Sequence, residues 1–392
     1  MSLELLRDTP LQALNTFGLP ATAGHLIRVD QAADLPALPG LLAQIAPSAP
    51  GEPVVLGGGS NWLPIGTIGP IGHIEQPVVH MQIKGRTQLD ALGRIEAAAG
   101  ESWDALVRWS LTQGLAGLEN LALIPGTVGG APIQNIGAYG VELASCFESL
   151  EALHLRTGQR RRFDAAECGF GYRESIFKHG EGRLWLITSI RLRLQPETEA
   201  QLQLDYGDVR GWLRDAGIDS PRAQDVARAV SAIRRSKLPD PAHLGNAGSF
   251  FKNPILPEAQ ALALKAAHPG LPLWPVEDGS APDQRSAPHQ QGKDLLQQHR
   301  AAPLIKLPAA WLIDQCGWKG RRQGQAGVHT RHALVLVNHG GATGEDVLGL
   351  ARSIQDSVQA RFGVLLEAEP RLVGASRRNI QVPASDASAS KA

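Results

Sequence analysis

Apolar and polar positions alternate along the chain in two rhythms. The stretch EPVVLGGGSNWL sets an apolar run, Val54 to Leu56, ahead of Gly57–Gly59, and a short apolar run closed by a glycine turn predicts a buried strand. Shorter alternating pieces follow in VVHMQIKG and GRIEAAAG. SWDALVRWSLTQGL then spaces its apolar residues at helical intervals and predicts a helix. LWLITSIRLRLQP, Leu184 to Pro196, alternates from Ser189 onward. That is a strand with one wet face, more typical of antiparallel or mixed sheets than of a doubly wound parallel sheet.

After Pro239 the texture changes. LPDPAHLGNAGSFFKNP is turn-rich and opens a segment that closes near QARFGVLLEAEPRLVG, which places a domain boundary there. Within that segment GSAPDQRSAPHQQGKDLLQQHRAAP is rich in Pro, Gln and Ala without a strand period, and reads as a surface insertion or mobile loop. The tail SRRNIQVPASDASASKA is small and polar, the composition of a disordered end.

The chain's 392 residues exceed the roughly 250–300 at which one core stops growing, so two or three domains and a cleft between them are expected. Its 38 basic residues balance 38 acidic ones, which gives no footprint for nucleic acid or an anionic membrane. Cys146, Cys168 and Cys316 lie far apart without metal-ligand spacing, so neither disulfides nor a metal site is expected, and a reducing, cytoplasmic setting fits. The N-terminus breaks its apolar positions with Glu4, Arg7, Asp8 and Pro10, unlike a signal peptide. No apolar run reaches the length of a membrane span.

Five stretches could carry chemistry. In LGGGSN, Gly57, Gly58 and Gly59 let backbone N–H groups approach an anion, with Ser60 and Asn61 as side-chain donors. The spacing is neither that of a dinucleotide-binding GxGxxG nor of a P-loop, and taken alone the run reads first as a tight structural turn. GLENLALIPGTVGGAPIQNIGAYGVE, Gly117 to Glu142, interleaves glycines with Pro125, Thr127, Gln134, Asn135 and Tyr139; such a loop fits a backbone wrapped around a flat polar ligand. Together the two point to one large phosphate-bearing cofactor. Arg173 in CGFGYRESIFK could fork a carboxylate or stabilise developing negative charge, although a lone arginine is more often a surface ion-pair partner. GNAGSFFKNP sets Ser249 behind Gly248 and before two phenylalanines, whose plain role is core. LLEAEPRLVG carries Glu367 and Glu369, two apart and so on one face of a strand.

With KLPDP and AAWLIDQCG added, these motifs together resemble the UDP-N-acetylenolpyruvoylglucosamine reductase (MurB) family, in its form with a substrate-clamping loop, from about Asn15 to Gly374. The resemblance implies an α+β chain: an FAD-binding PCMH/vanillyl-alcohol-oxidase-type fold of two subdomains plus a C-terminal α/β substrate domain. The first subdomain would span 1–78 with 364–374, the second 79–236, with the PCMH-type FAD region at about 20–196. The substrate domain would span 237–363, and 375–392 would be the disordered tail.

The implied activity has two steps. NADPH delivers hydride to non-covalent FAD, and UDP-N-acetylglucosamine enolpyruvate then takes hydride at its β-carbon in the same cleft. Ser249 would protonate the α-carbon, Arg173 would stabilise the enolate, and Glu369, if protonated, would share that load. Gly57, Gly58, Gly59, Ser60, Asn61, Pro125, Gly126, Thr127, Gly129, Gln134, Asn135, Gly137 and Tyr139 match cofactor positions. Tyr206, Arg234, Lys237, Asn253 and Lys319 match substrate positions. Trp274 stands where the family often clamps with a tyrosine, and His332 where a glutamine is common. A cytoplasmic monomer without metal, nucleic acid or membrane insertion is expected. The alternatives are another flavin oxidase of the same superfamily, which would need neither GNAGSFFKNP nor the late glutamate, and a non-catalytic sugar-nucleotide-binding protein, which would have lost one of Arg173, Ser249 and Glu369.

Overall fold

The structure, a computed structural model, describes residues 3–49, 51–65, 72–276 and 303–374. Its first sheet joins the strands Glu4–Pro10, Ala21–Val29, Val78–Met81 and Val54–Leu56 in that order, with Gly72–Ile74 beside the start of the second. Apart from the antiparallel N-terminal pair it is parallel. Val54 and Leu56 are buried, as their apolar run predicts, and the strand delivers Gly57–Gly59 to the carboxyl end of the sheet, where open parallel sheets place ligands. The helix Leu38–Ile45 packs Leu38, Leu42 and Ile45 against Ile27, Val29 and Val79 on one face. Residue 78, the expected edge of the first subdomain, opens the Val78–Met81 strand of this sheet.

A second sheet is antiparallel throughout, in the order Arg160–Asp164, Phe147–His154, Trp185–Arg193, Arg94–Ala98, Arg86–Gln88. Along Trp185–Arg193 the side chains of Ile190 and Leu192 are buried while Arg191 pairs with Glu96 on the wet face. That is the one-sided strand its alternation predicts. The predicted helix is Trp103–Thr112, with the Ser102 side chain accepting from Ala105 N. Its Trp103, Leu106 and Val107 join Val226, Val230 and Ile233 of the helix Ala223–Lys237 in one core.

The third unit sets the antiparallel strands Gly245–Ser249, Val335–Asn338, Ala326–Val328 and Arg322–Gln323 against the helices Ala309–Gln315 and Gly344–Phe362. A smaller sheet pairs Ile255–Pro257 and Trp274–Pro275 with Leu304–Lys306. The third unit is tied to the first through Asn246 N to Thr16 O (3.0 Å) and Asn338 Nδ2 to Phe17 O (3.0 Å). Past the last helix the chain returns, and Arg371–Val373 lies parallel to Trp62–Pro64. The Pro/Gln-rich stretch from 279 to 302 and the tail from 375 lie outside the described residues. No helix among the described residues is long and apolar enough to cross a membrane.

Candidate active site

Two glycine-bearing turns meet edge to edge at the carboxyl end of the first sheet. A Cβ on Gly58 would stand 2.9 Å from Gly126 Cα, and one on Gly57 would collide with Thr127 Oγ1, so only bare backbone permits this approach. Ser60 Oγ donates to Pro125 O (3.2 Å), and Asn61 Nδ2 donates to Gln134 Oε1 (2.7 Å) and Glu369 O (3.2 Å). The second turn is held from behind by the start of the Trp103–Thr112 helix. Trp103 N donates to Gly126 O, Val128 N to Glu101 O, and Leu123 N to Asp104 Oδ1.

A cavity of about 300 Å³ opens in front of both turns. Gly57 to Asn61, Pro125, Gly126, Thr127, Gly129, Gln134 and Gly137 line one wall, Trp62, Trp103, Phe177 and Trp185 supply aromatic surface, and Arg173, Ser249 and Glu369 reach in from three segments.

Each of the three is placed by the main chain. Gly171 and Glu174 exchange backbone hydrogen bonds (3.1 Å each), so Tyr172 and Arg173 form the tip of a tight turn with Arg173 at φ 56. From there Arg173 Nη2 donates to Gly137 O (2.9 Å) and Nε lies 3.5 Å from Glu369 Oε2. Ser249 ends the Gly245–Ser249 strand opposite Val335, just after Gly248 at φ 73, where the register shifts; that conformation favours glycine. Phe250 N then donates to Leu334 O (2.7 Å) and Glu369 N to Phe250 O (2.8 Å). Main-chain bonding one residue beyond Ser249 thereby brings Glu369 alongside. Phe250 and Phe251 are core, their rings 5.1 Å apart edge to face.

Glu367 and Glu369 do not sit on a regular strand; only Ala368 makes a bridge, to Phe251. Their surroundings differ as a result. Glu367 is largely exposed and pairs with Lys252 at 2.5 Å, whereas the Glu369 side chain is only 10% exposed. Burial raises the Glu369 pKa, against the opposing pull of Arg173, Lys252 and Lys178. Arg183, Arg234 and Arg371 also line the cavity. Desolvation lowers Arg371 to about 10, with the charge of Arg183 pushing the same way, and burial lowers Arg234, whose Nε has no hydrogen-bond partner. Four arginines against one carboxyl group in the cavity wall give it the charge balance for anions.

The chain carries two family signatures: an FAD binding domain model matches residues 42–164, and the UDP-N-acetylenolpyruvoylglucosamine reductase C-terminal domain model matches residues 240–373. The reductase of that name from Azoarcus sp. (strain BH72) is 49% identical over 379 residues, covering 95% of this chain and 98% of that one. The Pseudomonas aeruginosa reductase is also 49% identical, over 95% of this chain and 100% of its own. The chain belongs to the UDP-N-acetylenolpyruvoylglucosamine reductase family. The crystal structure of the Thermus caldophilus MurB reductase aligns with a TM-score of 0.57 at 25% identity, over 95% of this chain and 99% of that one. This reductase is accordingly an FAD-containing oxidoreductase with NADPH as hydride donor. The residues present fit the flavin nucleotide: the two turns approach too closely for side chains, the flanking charge is positive, and among the described residues neither cysteine nor histidine lines the cavity.

Two of the residues assigned to FAD turn their side chains elsewhere. Asn135, at φ 41, gives Nδ2 to Glu142 Oε2 (2.7 Å) and Gly171 O (3.2 Å) and takes Ala144 N on Oδ1 (3.0 Å), so its amide is consumed in bracing the loop. Tyr139, at φ 50, is absent from the cavity wall; its carbonyl accepts Asn120 Nδ2, and its ring faces Gly207. Among the residues assigned to substrate, Arg234 lines the cavity. Tyr206 (60% exposed) and Trp274 (44% exposed) are open to solvent. Asn253 Oδ1 accepts Ala309 N (2.9 Å) at the start of the Ala309–Gln315 helix. Lys319 lies 3.5 Å from Asp314. Lys237 and Lys319 lie close enough to His332 to lower its pKa, after burial and His329, and His332 Nδ1 accepts Leu334 N (3.3 Å), leaving Nε2 as the donor of the neutral ring. Sequence reasoning missed Arg183 and Arg371. Arg371 follows Glu369 within the same motif; Arg183 carries no motif at all.

Proposed function

We propose that this chain reduces UDP-N-acetylglucosamine enolpyruvate to UDP-N-acetylmuramate for peptidoglycan, with Arg173, Ser249 and Glu369 as its catalytic residues. Bound FAD supplies the hydride, taken from NADPH, to the β-carbon of the enolpyruvyl group. Negative charge then develops on the α-carbon and its carboxylate. Arg173 offers that charge a guanidinium already turned into the cavity, and Glu369, its pKa raised by burial, offers a neutral O–H donor beside it. Ser249 gives the α-carbon its proton. A hydroxyl is a poor acid in water, so this role suits only a basic carbanion in a site shielded from solvent.

The observation that carries the reading is the convergence of these three side chains, from three separate segments, on the cavity that both glycine turns line. Gly57–Asn61 and Pro125–Gly137 would hold FAD, and Arg183, Arg234 and Arg371 would take phosphate or carboxylate charge. Lys237, Lys319 and His332 would contact the sugar nucleotide, with Tyr206 and Trp274 stacking from the open side. We assign residues 1–81 with 364–374 and 82–236 to the two FAD-binding subdomains and 237–363 to the substrate domain, the first boundary moved from residue 78 to the end of the strand Val78–Met81, which pairs within the first sheet. The chain would act as a monomer and in the cytoplasm, the reducing compartment that its free cysteines suit.

Ser249→Ala tests the acid directly. Anaerobic stopped-flow should show bleaching by NADPH nearly unchanged, while return of the oxidised flavin bands on adding the enolpyruvyl substrate slows roughly 10²–10⁴-fold. Equal loss in both halves would remove Ser249 from that role.

A further inference from the structure

We propose that Lys178 is a positioning residue for this reaction: its ammonium holds the Arg173 backbone in the left-handed conformation that aims the guanidinium into the cavity. The inference rests on the role given to Arg173 above. Arg173 is the third residue of the turn Gly171–Glu174, at φ 56, a position that favours glycine or asparagine. An arginine there persists only if its surroundings enforce it.

Lys178 Nζ donates to Arg173 O (2.9 Å) and lies 3.8 Å from Glu174 Oε2. One ammonium therefore grips the carbonyl of the strained residue and the carboxylate of the residue after it. Glu174 Oε1 is in turn held by Ser175 N (2.9 Å) and His179 Nε2 (2.7 Å). The platform beneath is firm, with Phe177 buried and Ser175 Oγ bonded to Ile133 O (2.6 Å). The guanidinium has few holds of its own: one hydrogen bond to Gly137 O, a 3.5 Å approach to Glu369 and a place over the ring of Tyr172, 5.6 Å from its centroid, which rides on the same turn; Nε makes no hydrogen bond. Its aim is set mainly by the backbone. Lys178 does not line the cavity, and its side chain is 21% exposed. Burial lowers its pKa, and the charge of Lys252 pushes the same way. An amine kept in so unfavourable a place, with bonds to the turn that carries Arg173, has a positioning task.

Lys178→Met removes the donor. In stopped-flow measurements flavin reduction by NADPH should stay within about twofold of wild type, while reoxidation by the enolpyruvyl sugar nucleotide slows roughly 10- to 100-fold, the cost of misplacing a charge-stabilising group by an ångström or less. In an Arg173→Ala background the same change should add less than about twofold, because its effect passes through Arg173. Hydrogen exchange of the Glu174 amide in the FAD-bound protein without substrate should quicken roughly tenfold. Equal slowing of both half-reactions, or an undiminished effect without Arg173, overturns the proposal. Should Lys178→Met fail to fold, Lys178→Arg, which keeps donor and charge, carries the test. Reoxidation within about threefold of wild type supports the role; a loss beyond about tenfold with flavin bound and reducible overturns it. Wild-type reoxidation by the substrate separates the two ideas. Its absence refutes the proposed function, whereas its presence beside an unimpaired Lys178→Met refutes the positioning role alone.

Discussion

Glu369 has to be neutral to donate a hydrogen bond to a developing enolate, and its surroundings pull in both directions. Burial raises its pKa; Arg173, Lys252 and Lys178 draw it down, and Glu367 adds to the rise. With the net shift upward, the neutral form extends to higher pH than for an exposed glutamate and is lost as pH rises through the shifted pKa. The reoxidation rate in single turnover should therefore have an alkaline limb, and Glu369→Gln, neutral at every pH, should flatten it. Lys252→Met removes one cation and unpairs Glu367, so it should move that limb to higher pH; a limb unmoved by either change would take Glu369 out of the chemistry. That Ser249, Arg173 and Glu369 line one cavity was legible because each sits in a motif with a chemical need. The side chains of Asn135 and Tyr139 turn away from the cavity for a physical reason. A polar side chain in a glycine loop can face the ligand or brace the loop, and the sequence does not reveal which of its hydrogen bonds are already taken.

At the scale of elements, Val54–Leu56 and Trp103–Thr112 appear where their apolar periods put them, whereas Glu367 and Glu369 precede the short strand Arg371–Val373 and share no strand face. The partnership of the two glycine turns was less visible, because contact between residues 58 and 126 depends on where the sheet edge and the helix start bring them. Their separation makes its own prediction. Gly58→Ala places a methyl 2.9 Å from Gly126 Cα, and neither backbone can yield without opening the cradle. The variant should fold, with far-ultraviolet circular dichroism unchanged, yet be purified with little flavin and rebind it more weakly by roughly tenfold or more. Full flavin content would mean that the close approach serves packing alone.

For the whole molecule, the telling feature is that the hydride donor and the sugar nucleotide are both anions and that the proposed site gives them one arginine-lined cavity. Arg173, Arg183, Arg234 and Arg371 line it together with Glu369, and its walls come from all three units of the fold. If NADPH and the enolpyruvyl substrate occupy the same space in turn, neither can bind while the other is present. Initial-rate plots at several fixed concentrations of the second substrate should then be parallel, the ping-pong pattern. Excess enolpyruvyl substrate should inhibit flavin reduction competitively with NADPH, and higher ionic strength should weaken binding of both by screening the same guanidinium groups. Intersecting lines, or inhibition that NADPH does not relieve, would require two separate sites, and the cavity would then have to be divided between cofactor and one substrate alone.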